Sequence, residues 1–238
     1  MLGHDGAPWF IEQDADKLGT LALDGTFHEY AIPTAHATPT RIALSPGLDN
    51  TLWFTERDGN KIGRFTFDGR FNEYPLPTPK ALPEDITIGP DGAVWFVERG
   101  AGKIGRITFD GDLREFTLPD VTSAPDGIAT GPDNALWFTE QQTNKIGRIT
   151  VTGQIREFVV PTPGAVPTHI VRGRDGALYF TEPGSDRIGR VTPDGRFTEF
   201  PIPKPTSEPD GMAVGPDGNV WFAEKGASKI GRLRPPTT

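Results

Sequence analysis

Residues 89 to 111 read G-P-D-G-A-V-W-F-V-E-R-G-A-G-K-I-G-R-I-T-F-D-G. The Trp95-Phe96 pair at the centre of this stretch recurs as Trp9-Phe10, Trp53-Phe54, Trp137-Phe138, Tyr179-Phe180 and Trp221-Phe222, at successive spacings of 44, 42, 42, 42 and 42 residues. Two residues after each pair stands a glutamate (Glu12, Glu56, Glu98, Glu140, Glu182, Glu224), and five residues further on Lys or Arg opens a [KR]-[IL]-G segment. A repeat of about 40 to 50 residues made of short strands and turns predicts an all-β fold, a β-propeller with one four-stranded blade per repeat and hence six blades.

Working outward from the quoted stretch gives the blade. Ile86–Ile88 is strand A, and Gly89-Pro90-Asp91-Gly92 reverses the chain, proline presetting one dihedral and Asp-Gly supplying a positive φ. Ala93–Val97 is strand B, Lys103–Phe109 strand C, and Leu113–Leu118 strand D, which ends at Pro119. The 24 prolines cluster around D and the connection after it, which places D outermost. A glycine inside every strand C (Gly19, Gly63, Gly105, Gly147, Gly189, Gly231) predicts that a large ring, expected to be the strand B Trp, packs over the missing side chain.

The repeat supplies six B and six C strands but five A and five D strands. That makes 22 strands and predicts an incompletely closed ring. By the repeat's own arithmetic the missing pair would occupy roughly 20 residues upstream of Met1. A monomer is expected, with pairing to a second chain favoured at any edge left open.

At 238 residues covered end to end by the repeat, the chain is read as a single domain, 1–238. A net charge of −8 argues against nucleic acid and anionic membranes as partners and suits a cationic or metal-bridged ligand. There are no cysteines, which excludes disulfides and thiolate–metal sites. The start, Met1-Leu2-Gly3-His4-Asp5-Gly6, has no basic segment followed by an apolar run, and no stretch approaches a membrane span, so a cytoplasmic location is expected.

Loops before A and after B share one face of a blade. That face collects the six strand B glutamates and the residues following the strand A proline: Thr40-Arg41, Glu84-Asp85, Asp126-Gly127, Thr168-His169 and Asp210-Gly211. These side chains vary on a constant frame, which is how a binding site is built, and Thr168, Asp126, Glu84, Asp85 and Arg41 are candidates for contacting a ligand. For the glutamates the plain structural explanation is a cross-hairpin ion pair with the Lys or Arg of strand C; the alternative is that one or two of these carboxylates hold a hard divalent cation. His4, His28 and His36 read as exposed, while His169 opens an inner strand and points toward the pocket. There is no G-x-S-x-G, Walker loop or H-E-x-x-H, so nucleophilic catalysis has no support.

The phrases G-P-D-G-A-V-W-F-V-E at 89–98, N-K-I-G-R-I-T at 144–150 and E-F-P-I-P at 199–203 together resemble the virginiamycin B lyase (streptogramin lyase) family, over essentially the whole chain. The resemblance implies a seven-bladed propeller, of which six repeats are visible here. It implies opening of the lactone of type B streptogramin antibiotics, an antibiotic-resistance activity, by elimination, with Mg²⁺ held by glutamates and a histidine as general base. The family's metal glutamates are 16 residues apart in the last blade, matching Glu208 and Glu224. Its catalytic histidine falls at Asp210 in this chain, and a second pocket histidine falls at Thr168, next to His169.

Three readings follow. The first is a Mg²⁺-dependent carbon–oxygen lyase acting on a cyclic depsipeptide, with Asp210 or His169 as the base; an aspartate, with an ordinary pKa of about 3.9, is the weaker of the two. The second is a non-catalytic propeller that binds a small molecule, cyclic peptide or protein on the same face. The third, by analogy of fold alone, is a calcium lactonase.

Overall fold

The computed structural model of the chain describes residues 1–3, 6–45 and 51–236; His4 lies outside the described residues. Gly, Pro and Asp turns cut the β-branched and aromatic runs into strands of three to six residues, and antiparallel pairing of neighbours follows from the short turns. The described residues form 22 strands in six sheets, the count the repeat predicts.

The chain divides into two compact units of three blades each. The first holds β1 (Trp9–Glu12), β2 (Lys17–Leu21) and β3 (Phe27–Ala31); β4 (Pro39–Leu44), β5 (Thr51–Glu56), β6 (Lys61–Thr66) and β7 (Arg70–Pro75); and β8 (Pro83–Ile88), β9 (Val94–Glu98), β10 (Lys103–Ile107) and β11 (Leu113–Thr117). The second holds β12 (Pro125–Thr130), β13 (Ala135–Glu140), β14 (Lys145–Thr150) and β15 (Ile155–Val159); β16 (Ile170–Arg172), β17 (Leu178–Glu182), β18 (Arg187–Val191) and β19 (Phe197–Pro201); and β20 (Pro209–Val214), β21 (Val220–Glu224) and β22 (Lys229–Leu233). The fold class is a β-propeller of six blades, the first and last three-stranded among the described residues.

The glycine of strand C answers to a different ring from the one expected. In the register of every blade it faces the Phe of the pair: Gly63 opposite Phe54, Gly105 opposite Phe96, Gly147 opposite Phe138. A Cβ on Gly105 would lie 2.1 Å from the Phe96 ring, so only glycine admits it. The Trp turns to the opposite side of the sheet, where Arg64, Arg106 and Arg232 lie over Trp53, Trp95 and Trp221 at 5.5, 5.9 and 5.7 Å. Period-two alternation forces this: adjacent residues of a strand cannot share a face.

Among the described residues, the expected ion pairs between strand B glutamates and strand C lysines do not form. The lysines reach instead to a glutamate on strand D: Lys17–Glu29 at 3.0 Å, Lys61–Glu73 at 2.9 Å, Lys103–Glu115 and Lys145–Glu157 at 2.6 Å. A threonine from the preceding loop completes the cluster, as Thr78 does through its N–H and hydroxyl to Glu115. Glu56, Glu98, Glu140 and Glu182 are left fully buried, and burial, followed for Glu98 by the Glu115 charge, pushes Glu98 up to about 8. Burial likewise raises Glu56, Glu140 and Glu182 to about 7. These four are interior carboxyls whose protonated form burial favours, and not a rim of exposed carboxylates.

Candidate active site

Proline opens strand A in both units, and the two residues after it are where the pairing slips. The register of β4 shifts between Pro39 and Ile42, that of β8 between Pro83 and Ile86, that of β12 between Pro125 and Ile128, and that of β20 between Pro209 and Met212. Thr40-Arg41, Glu84-Asp85, Asp126-Gly127 and Asp210-Gly211 are therefore bulge residues, released from the ladder and re-aimed. A strand B threonine anchors the residues at the start of strand A in the following blade. Thr55 donates to the Glu84 carbonyl at 3.0 Å in the first unit, and Thr139 donates to the Thr168 carbonyl in the second.

In the first unit the candidate residues are engaged with one another. Arg41 Nε lies 4.0 Å from Asp85 Oδ1, and Arg57 Nε lies 3.5 Å from Glu84 Oε2. In the second unit, the bulge region of the last blade borders a cleft of about 380 Å³ lined by Thr168, Pro183, Glu208, Pro209, Asp210 and Lys225. Three expected site residues, Thr168, Glu208 and Asp210, thus share one cavity. Asp126, half-buried in β12, does not line it.

His169 is joined to the cleft through Asp210, its Nδ1 lying 3.2 Å from Asp210 Oδ1. Its backbone is held by Thr181: the His169 N–H donates to the Thr181 hydroxyl at 3.2 Å and the Thr181 N–H donates to the His169 carbonyl at 3.0 Å. Gly127 makes this approach possible, since a Cβ there would sit 2.6 Å from the Thr168 carbonyl oxygen and 3.2 Å from His169 Cα. His28 and His36 are exposed, as the sequence predicts.

Glu208 has a left-handed backbone (φ 45°), held by the Asp186 carboxylate accepting its N–H at 3.0 Å. Thr38, Leu82, Ala124 and Val166 take the same conformation at the equivalent position, so the strain belongs to the scaffold and not to the site. Glu224 pairs with Pro209 in register, is half-buried, and accepts the Ser207 hydroxyl at 3.3 Å. No group of three or more Asp, Glu, His or Cys side chains that could hold a metal ion occurs among the described residues. Magnesium keeps most of its water and takes one or two carboxylates, so Glu208 on the cleft and Glu224 beside it meet its donor chemistry.

Sequence reasoning missed Lys225, a cation in the cleft. The signal was present: the residue after each strand B glutamate varies among Gln13, Arg57, Arg99, Gln141, Pro183 and Lys225, a second variable set on the same face.

The description of the virginiamycin B lyase family matches residues 1–125 and 114–237. The chain belongs to the virginiamycin B lyase family. Among solved structures, virginiamycin B lyase from Staphylococcus aureus, with selenomethionine substituted, is 45% identical over 99% of this chain and 80% of its own, with a TM-score of 0.96. A catalytically inactive histidine-to-alanine form of that lyase with quinupristin gives 45% identity, coverages of 98% and 79%, and a TM-score of 0.95. A streptogramin B lyase gives 44% identity, coverages of 98% and 77%, and a TM-score of 0.92. No curated protein sequence matches the chain. Within the described residues of this family member, no helix is long and apolar enough to cross a membrane.

Proposed function

We propose that this protein is a carbon–oxygen lyase that linearises a cyclic depsipeptide of the streptogramin B type by elimination. The observation that supports it most is the cleft of the last blade, where Glu208 and Asp210 meet and His169 touches Asp210, in a chain 45% identical to virginiamycin B lyase. Magnesium bound by Glu208 and Glu224 would supply Lewis acidity at the ester, making the proton on the neighbouring carbon easier to remove. The His169–Asp210 pair takes that proton, and the electron pair of the broken C–H bond becomes a carbon–carbon double bond as the ester oxygen departs with the C–O pair as a carboxylate. Lys225 offsets negative charge in the cleft, and Thr168 contacts the substrate. In the first unit, the candidate residues Arg41, Asp85 and Glu84 are held by the Arg41–Asp85 and Arg57–Glu84 ion pairs.

The test is chromatography with mass detection on quinupristin incubated with the protein, with Mg²⁺ and with chelator. Metal-dependent conversion to a product of unchanged mass is expected, and Glu224→Gln abolishes it without unfolding the chain. A product one water heavier would mean hydrolysis; an unaltered antibiotic would overturn the assignment. A second reading, a ligand-binding propeller without catalysis, is favoured by one observation: Thr168 and Asp210 stand where the resemblance implies histidines. It expects quinupristin to bind and remain intact with or without metal.

A further inference from the structure

We propose that the two end blades carry complementary halves of one blade-to-blade junction, so that blade six of one copy packs on blade one of a second copy, head to tail. The inference does not depend on the lyase reading. Within each unit, neighbouring blades meet by a fixed rule. The Trp face of one blade covers the second, fourth and eighth residues after the strand C glycine of the next. In blade two these are Phe65, Phe67 and Phe71; Trp9 of blade one lies 5.5 Å from Phe65 and 5.0 Å from Phe67, and Phe65 has no exposed surface. In blade three they are Ile107, Phe109 and Leu113, which share a cluster with Trp53. The strand C arginine closes the junction: Arg64 lies over Trp53 at 5.5 Å, and its Nη1 donates to the Phe109 carbonyl at 3.3 Å. In the second unit, Trp137 clusters with Val191 and Phe197 by the same rule.

Blade one presents these positions to solvent. Leu21, Leu23 and Phe27 are the second, fourth and eighth residues after Gly19, and they are 41%, 80% and 52% exposed. Leu21 pairs with Phe27 across the β2–β3 hairpin, and Phe27 lies 5.5 Å from Phe10, so the exposure is one apolar strip and not a scatter of single residues. Blade six presents the other half. Trp221 is half-buried, whereas Trp53, Trp95 and Trp137 have no exposed surface. Arg232 lies over Trp221 at 5.7 Å and is exposed, and Ile230, two residues away on the same face of β22, is exposed as well.

The occupant that fits the strip is therefore the chain itself. Trp221 supplies the ring that covers Leu21 and Leu23, and Arg232 reaches the Leu23 carbonyl as Arg64 reaches that of Phe109. Asp24, exposed beside Leu23, offers Arg232 a counter-charge. The two surfaces differ, so the contact is heterologous. Among the described residues blade six has no strand D to bring the aromatic that Tyr30 places 4.8 Å from Phe65. This junction is accordingly weaker than those within the chain, and it fills as concentration rises.

The experiment is sedimentation velocity of the full chain over a range of concentrations, with light scattering for mass. The native chain is expected to exceed the mass of one chain increasingly as concentration rises. Leu23→Asp and Arg232→Glu, both at exposed positions, should each stay at the mass of one chain, with far-UV dichroism and Tm unchanged to show an intact fold. Mixing the two variants should restore association and stop it at two chains. Blade six of the Leu23→Asp chain still fits blade one of the Arg232→Glu chain, and no second intact pair exists. A native chain of single mass at every soluble concentration overturns the proposal and assigns the apolar strip to a different partner. Association that survives both substitutions overturns it too. Variants that remain single when mixed overturn the head-to-tail pairing. None of these measurements involves an antibiotic, so loss of the lyase assignment leaves their outcome unaffected.

Discussion

Blades five and six carry the same phrase, yet its residues meet different surroundings. Ile188 and Ile230 occupy the same position of strand C, and one is 1% exposed while the other is 69% exposed. Glu182 is fully buried, whereas Glu224 is half-buried and joined to Ser207. What separates them is strand D. In blade five, Phe200 of β19 lies opposite Ile188 and Glu199 opposite Gly189, and no fourth strand stands beside β22 among the described residues. The repeat unit therefore does not by itself produce a buried interior; the outer strand does, by removing apolar surface from water and supplying the carboxylate that engages strand C. The candidate metal glutamate lies in the less enclosed copy.

That contrast can be broken most directly by matched substitutions. Ile188→Ala is expected to cost about 2–5 kcal/mol in urea unfolding, because it empties a filled interior position. Ile230→Ala should stay within about 0.5 kcal/mol, as exposed positions do. Equal losses would show that exposure does not distinguish the two blades. Next in size, Lys145→Met removes the 2.6 Å contact with Glu157 and should cost about 1.5–3 kcal/mol, while Lys229→Met at an exposed site should be nearly silent in the same measurement.

A third test sharpens the contrast through pH. Burial, with Ser185 opposing and Glu199 assisting, pushes Glu182 up to about 7 from its ordinary 4.5. The folded chain then binds more protons than the unfolded chain between those values, so stability is lost as pH rises through that window, by at most about 1.4 kcal/mol per pH unit for one group. Glu182→Gln should flatten that part of the stability profile, read as Tm at pH 5 and pH 8. A slope unchanged from the native chain would mean that Glu182 does not hold its proton.

Much of the fold was legible because a 42-residue period with fixed punctuation leaves few alternatives, and strands fell within a few residues of the predicted bounds, strand A of the third repeat extending back to Pro83. The ring over the strand C glycine was misassigned because adjacent Trp and Phe look equivalent in sequence, and only register separates them. The lysine partner was misassigned too, since Glu56 opposite Lys61 is the nearer residue along the chain. The signal for the true partner was nonetheless present in the E-[YF] of every strand D: Glu29-Tyr30, Glu73-Tyr74, Glu115-Phe116, Glu157-Phe158 and Glu199-Phe200. At the site, Thr168 and Asp210 were legible as variable residues after a fixed proline and Glu208 only through the family resemblance, whereas Lys225 was overlooked and the His169–Asp210 contact spans 41 residues of chain.

The sequence alone determined the repeat, the strand count, the turns and the family, because these depend on local dihedral preferences and on a pattern repeated six times. The tertiary structure alone decided which carboxyl each lysine meets, which glutamates lose their water, and that a histidine and an aspartate from neighbouring blades come within 3.2 Å. Those outcomes turn on pairing register, bulges and exclusion of solvent, which arise only when strands distant in sequence are laid side by side.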